Sequence, residues 1–151
     1  MDKQSTGRAG EALAESKLWR AGFSNVINLN TTKKNALDYD LQAYNENYEV
    51  FWFQVKTFNK HKKGEFMVTR KIETYVPLKN SFFIFVDLSD NDNCYVVPLT
   101  EVQRIAHENH IEWLNTPGKH GQAHNDNDMR SFVLERCSDG TGEMYKNNWN
   151  F

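Results

Sequence analysis

Half-cystine frameworks, membrane spans and the commonest phosphate and acyl-transfer motifs are all missing from this 151-residue chain. It has two cysteines, Cys94 and Cys137, with neither CxxC spacing for zinc nor the density of a disulfide scaffold, so both are expected to be free thiols. No segment approaches the ~18 consecutive apolar residues of a membrane span. The opening "MDKQSTGRAGE" lacks the apolar stretch of a signal peptide, so a cytoplasmic protein is expected. There is no GxxxxGK[ST] phosphate loop and no GxSxG elbow, which leaves P-loop and Ser/His/Asp chemistry without support. Internal repeats, linkers and low-complexity tracts are also lacking, so residues 1–151 read as one domain.

What is present is the composition of a globule: 39% hydrophobic and 25% charged residues, with ten Phe, six Tyr and four Trp. A chain of this length buries roughly 70% of the surface it exposes when unfolded. The net charge of −2 argues against indiscriminate nucleic-acid binding, but charge is unevenly distributed. Residues 1–79 carry 13 Lys and Arg against 9 Asp and Glu, whereas residues 80–151 carry 5 against 11. Within residues 56–71, Lys56, Lys60, Lys62, Lys63, Arg70 and Lys71 face Glu65 alone, a run suited to following a phosphate backbone or simply to a solvated loop.

The stretch "STGRAGEALAESKLWRAGF" predicts a first helix, with Ser5 or Thr6 as N-cap and Gly22 beyond its end. On it Glu11 falls beside Gly7, Ala14 and Leu18. "NVINLN" predicts a short strand. "ALDYDLQAYN" alternates, with Leu37, Tyr39, Leu41 and Ala43 on one face and Asp38, Asp40 and Gln42 on the other. The turn "NENY" then leads into "YEVFWFQVKTF", which predicts a β-hairpin. "EFMVTRKIETYVPLKN" reads equally as extended chain or short helix. "SFFIFVDLS" and "CYVVPL" predict an antiparallel pair around the turn "DNDN", followed by a helix opened by a Thr100–Gln103 capping box with Val102, Ile105 and Ala106 inward. "MRSFVLER" offers one further strand. The expected class is α/β, a central mixed sheet flanked by helices.

One strand raises a chemical question. Apolar strands such as "VFWFQVKTF" occupy sheet centres, where a carboxamide and an ammonium are costly unless satisfied. Period-two geometry sends Gln54 and Lys56 to the same face, about 6.6 Å apart. Asp38 and Asp40 share a face of the hairpin partner, so aligned polar faces gather an acid, an amide oxygen and a lysine, with the Glu11 helix able to cover them. Carboxylate and carbonyl oxygens are hard ligands for Mg²⁺, with Mn²⁺ as substitute, and a lysine can orient the attacking water or balance developing charge. The plainer alternatives are a water-facing strand side for Asp38 and Asp40, a gatekeeper pair on an edge strand for Gln54 and Lys56, and an ordinary exposed position for Glu11. Val50 and Trp52 beside Gln54 argue against the gatekeeper reading.

In the order "GRAGE", "LDYDL", "FQVKT", the chain resembles the PD-(D/E)xK nuclease superfamily in its glutamine variant, over roughly residues 5–110. The resemblance implies a restriction endonuclease-like fold and metal-dependent hydrolysis of phosphodiester bonds in DNA. RNA stays open as substrate. It implies catalytic roles for Glu11, Asp40, Gln54 and Lys56, metal ligation by Asp40 or Asp38 with Gln54, and backbone contacts from Lys60, Lys62, Lys63 and Arg70. A homodimer is expected if both strands of a duplex are cut. The rival class is a nuclease-fold module without catalysis that binds nucleic acid or a protein. A zinc site from His107, His110, His120 and His124 lacks cysteine partners and lies partly in turn-rich sequence.

Overall fold

The first helix, α1, runs Lys3–Arg20 and starts before the hydroxyl residues that its sequence suggests as caps. Asp2 is the N-cap, its Oδ1 accepting from the Ser5 amide at 2.8 Å. A carboxylate there also meets the positive end of the helix dipole. Thr6, the other expected cap, is buried inside the helix instead, donating to the Asp2 carbonyl and accepting from Asn59 Nδ2 at 3.1 Å. The helix ends as expected, with Gly22 at φ +98°, the left-handed conformation that favours glycine.

The computed structural model describes residues 1–30, 38–59 and 64–151. Its strands are β1 (Asn25–Asn28), β2 (Leu41–Tyr44), β3 (Val50–Phe58), β4 (Glu65–Thr69), β5 (Ser81–Asp87), β6 (Asn93–Pro98) and β7 (Met129–Val133); α2 spans Leu99–Asn115 between β6 and β7. Five strands form one mixed sheet in the order β1-β2-β3-β5-β6, parallel between β3 and β5 and antiparallel elsewhere. β4 and β7 form a separate antiparallel ribbon. The fold is thus mixed α/β, a five-stranded sheet flanked by two helices.

Alternation along the strands divides the core in two. Phe51, Phe53, Val55, Ile84 and Val86 pack with Ala14 and Leu18 of α1, while Phe83, Phe85 and Val97 pack on the opposite face with Val102, Ile105 and Ala106 of α2. The ambiguous segment after β3 resolves into both candidates, strand β4 followed by a 3-10 turn, Arg70–Thr74. Among the described residues no helix is long and apolar enough to cross a membrane. Cys94 and Cys137 are buried free thiols, each pushed up to about 11 by burial.

Two local expectations need correction. Thr100 and Gln103 form no capping box: α2 begins at Leu99 behind Pro98, and the Gln103 amide donates to the carbonyls of Ile72 and Tyr75 at 3.0 and 2.8 Å. A tertiary partner wins over the local one, and α2 is thereby tied to the 3-10 turn. The alternation through "LDYDL" also breaks. Tyr39, Asp40 and Leu41 are all buried, and the strand begins only at Leu41. Leu37 lies outside the described residues.

Candidate active site

Pairing between β2 and β3 starts at Leu41 opposite Phe53, so Gln54 to Phe58 run past the end of β2 and, among the described residues, pair with β5 alone. This leaves the Val55 amide without a β2 carbonyl. Asp40 replaces it: its backbone amide still donates to the Phe53 carbonyl at 2.9 Å, and its Oδ2 accepts from Val55 N at 2.8 Å. A buried backbone donor must find a partner, and a carboxylate is a strong one. The same Oδ2 accepts from Gln54 Nε2 at 2.8 Å, and Oδ1 accepts from Asn30 Nδ2 at 2.7 Å.

Glu11 reaches this carboxylate from α1. A Cβ built on Gly10 would stand 1.7 Å from Thr57 Oγ1, so only glycine lets the helix press this closely on β3. The next residue, Glu11, accepts from Asn30 Nδ2 at 3.3 Å through Oε1 and from Asn28 Nδ2 at 3.4 Å through Oε2. One amide nitrogen, that of Asn30, therefore bridges both acids. Gln54 is held at its other end too, Oε1 accepting from the Tyr75 hydroxyl at 3.4 Å.

Lys56 is half-buried, and no hydrogen bond or ion pair satisfies its ammonium among the described residues. Burial lowers its pKa; the nearby Asp40 charge opposes that fall, and Lys71 and Lys3 add to it. Two openings meet at this point. The larger, about 1190 Å³, runs along α1 with Lys3, Arg8 and Glu11 on its wall; the smaller, about 140 Å³, opens beside the 3-10 turn with Lys71 and Tyr75 on its wall. Asp40, Gln54 and Lys56 line both.

The structure thus brings together Glu11, Asp40, Gln54 and Lys56. Asp38 is held elsewhere, exposed and paired with Lys71 Nζ at 3.1 Å. Arg70 lies outside the lining of both openings, its guanidinium near Glu73 at 3.7 Å and Asp128 at 3.8 Å. Lys60, Lys62 and Lys63 lie outside the described residues. Sequence reasoning missed Asn28, Asn30, Tyr75, Lys3 and Arg8, and placed Lys71 only within a basic run. The two asparagines had a faint signal, polar positions two apart at the end of "NVINLN".

Among the described residues no three His, Cys, Asp or Glu side chains cluster as metal ligands. The donors that converge are two carboxylates and one carboxamide, all oxygen ligands of the hard kind that Mg²⁺ takes while keeping several waters. The Gln54 amide presents nitrogen to Asp40, and rotation about its terminal torsion, which is broad and two-fold, exchanges nitrogen for oxygen. The donor set fits such an ion. The histidines do not form a rival: His107 is exposed, while buried His110 sits 2.8 Å from Asp126 and 3.3 Å from Arg130 Nη1. No protein-family model, curated protein or solved structure matches the chain.

Proposed function

We propose that the chain is a Mg²⁺-dependent endonuclease that hydrolyses phosphodiester bonds in DNA, built on a restriction endonuclease-like fold of the glutamine-variant PD-(D/E)xK type. The observation that carries this reading is the convergence of Asp40, Glu11 and Gln54 at an open cleft where Lys56 stands without a hydrogen bond or ion pair among the described residues. A partly desolvated ammonium that makes no ion pair among the described residues is costly to stability, and such groups concentrate at functional sites.

Asp40 and Glu11, with the Gln54 carbonyl, would hold the cation. When bound, it supplies Lewis-acid polarisation of a phosphoryl oxygen and a water of lowered pKa. The remaining work falls to the chain. The Asn30 bridge and the Val55 amide fix the carboxylates, so no reorganisation of the acids is required as the reaction proceeds. Lys56 donates to the attacking water or to a phosphoryl oxygen and offsets the negative charge that grows there. Lys3 and Arg8 on α1 put positive charge along the larger opening, where a polyanionic substrate enters.

The test is cleavage of supercoiled plasmid in Mg²⁺. Lys56→Met should lower the rate by about 10²–10³-fold, the range for removing one preorganised charge-stabilising donor, while far-UV circular dichroism stays unchanged. Undiminished cleavage by a folded Lys56→Met protein would remove Lys56 from the mechanism.

A further inference from the structure

The smaller opening has a feature that hydrolysis at Asp40 does not require: Lys71 stands at its wall, its Nζ 3.1 Å from Asp38 Oδ1 and 5.6 Å from the centre of the Tyr75 ring. Both partners of that ion pair are exposed, Lys71 at 57% and Asp38 at 62%, and exposed pairs of this kind contribute little to stability. The lysine is therefore easily recruited by a stronger anion. Its backbone is fixed more firmly than its pairing, because Gln103 of α2 holds the carbonyls of Ile72, the next residue in the turn, and Tyr75, just beyond it.

Seen from Lys56, cations stand on both banks of the site. Lys3 and Lys71 each act repulsively on its ammonium, one from the α1 side and one from the 3-10 turn. A single phosphate between the acids leaves the Lys71–Asp38 pair as it stands. A phosphodiester chain that continues through the smaller opening meets all three and relieves their mutual repulsion.

Building on the nuclease reading, we propose that Lys71 is a second-phosphate contact for the DNA strand on the far side of the scissile bond, and that Asp38 competes for it until DNA binds. Asp38 then acts as a weak electrostatic latch on the binding surface, and the substrate spans both openings.

The two members of the pair should have opposite effects on binding. Anisotropy of a fluorescein-labelled DNA duplex, titrated in EDTA over a range of salt, reads phosphate contacts without cleavage. Lys71→Gln should weaken binding and reduce the slope of log K against log salt by about 0.9, the loss of one phosphate contact. Asp38→Asn should tighten binding, and Lys71→Gln combined with Asp38→Asn should bind like Lys71→Gln alone. Glu143→Gln is the control, because Glu143 is similarly exposed at 66% and paired with Lys146, yet lies on neither opening. It should bind as the unaltered protein does.

An unchanged slope in Lys71→Gln, or Asp38→Asn binding no tighter than Glu143→Gln, would overturn the proposal. Failure of the nuclease reading is separable, since plasmid cleavage reports on Asp40, Gln54 and Lys56, while anisotropy in EDTA reports on Lys71 whether or not the protein cuts.

Discussion

At the scale of single residues, Lys56 carries opposite consequences for stability and for chemistry. Its pKa in the folded chain lies below the ordinary lysine value of 10.5, chiefly because burial disfavours the ammonium. Between the two values the unfolded chain binds more protons than the folded one, so stability due to this group rises with pH through that window. Below that window its penalty is fully present. Lys56→Met should therefore raise the denaturation midpoint at neutral pH, and the advantage over the unaltered protein should shrink as pH climbs toward 10.5. Urea titrations of the two proteins across that range check this; a difference independent of pH would show that the ammonium carries no such penalty. Taking the difference matters, because the buried tyrosines and thiols, whose pKa values are raised, destabilise the fold as pH rises. Activity should move the other way, falling on the alkaline side as Lys56 loses its proton.

At the scale of elements, the site depends on how closely α1 approaches β3. Gly10 allows that approach, whereas a Cβ on Gly7 would meet nothing within 4 Å. Gly7→Ala should stabilise the protein by about 1 kcal/mol through helix propensity. Gly10→Ala gains the same propensity but drives a methyl into Thr57, at an overpacking cost of about 1–3 kcal/mol, and should be net destabilising. Thermal unfolding of the two variants checks the contrast, and equal midpoints would mean that the helix has room to move. Elements were also where the sequence was most readable. Gln54 and Lys56 share a face because β3 is a regular strand, and β5, β6 and the inward face of α2 follow their apolar patterns. Misreadings occurred where a distant partner outcompeted a local one: Gln103 bonds to the 3-10 turn rather than capping its own helix, and Asp40 leaves the water-facing side of its strand to satisfy Val55.

At the scale of the whole molecule, the candidate site exists only because α1, the β1 end, the start of β2, the C-terminal half of β3 and the 3-10 turn meet at one place. The acid, amide and lysine could be picked out from "DYD" and "QVK". The Asn30 bridge between Glu11 and Asp40 could not, since it joins residues 19 and 10 apart in the chain through folding alone. Nor could Asp38 and Asp40 be told apart by local pattern, although one is exposed on Lys71 and the other is buried at the strand junction. That distinction supplies the most direct test. Calorimetric titration of Mn²⁺ into the unaltered protein, Asp40→Asn and Asp38→Asn should reveal a site that is lost in Asp40→Asn and retained in Asp38→Asn. Uptake undiminished by Asp40→Asn, uptake abolished by Asp38→Asn, or no uptake by the unaltered protein would contradict the account.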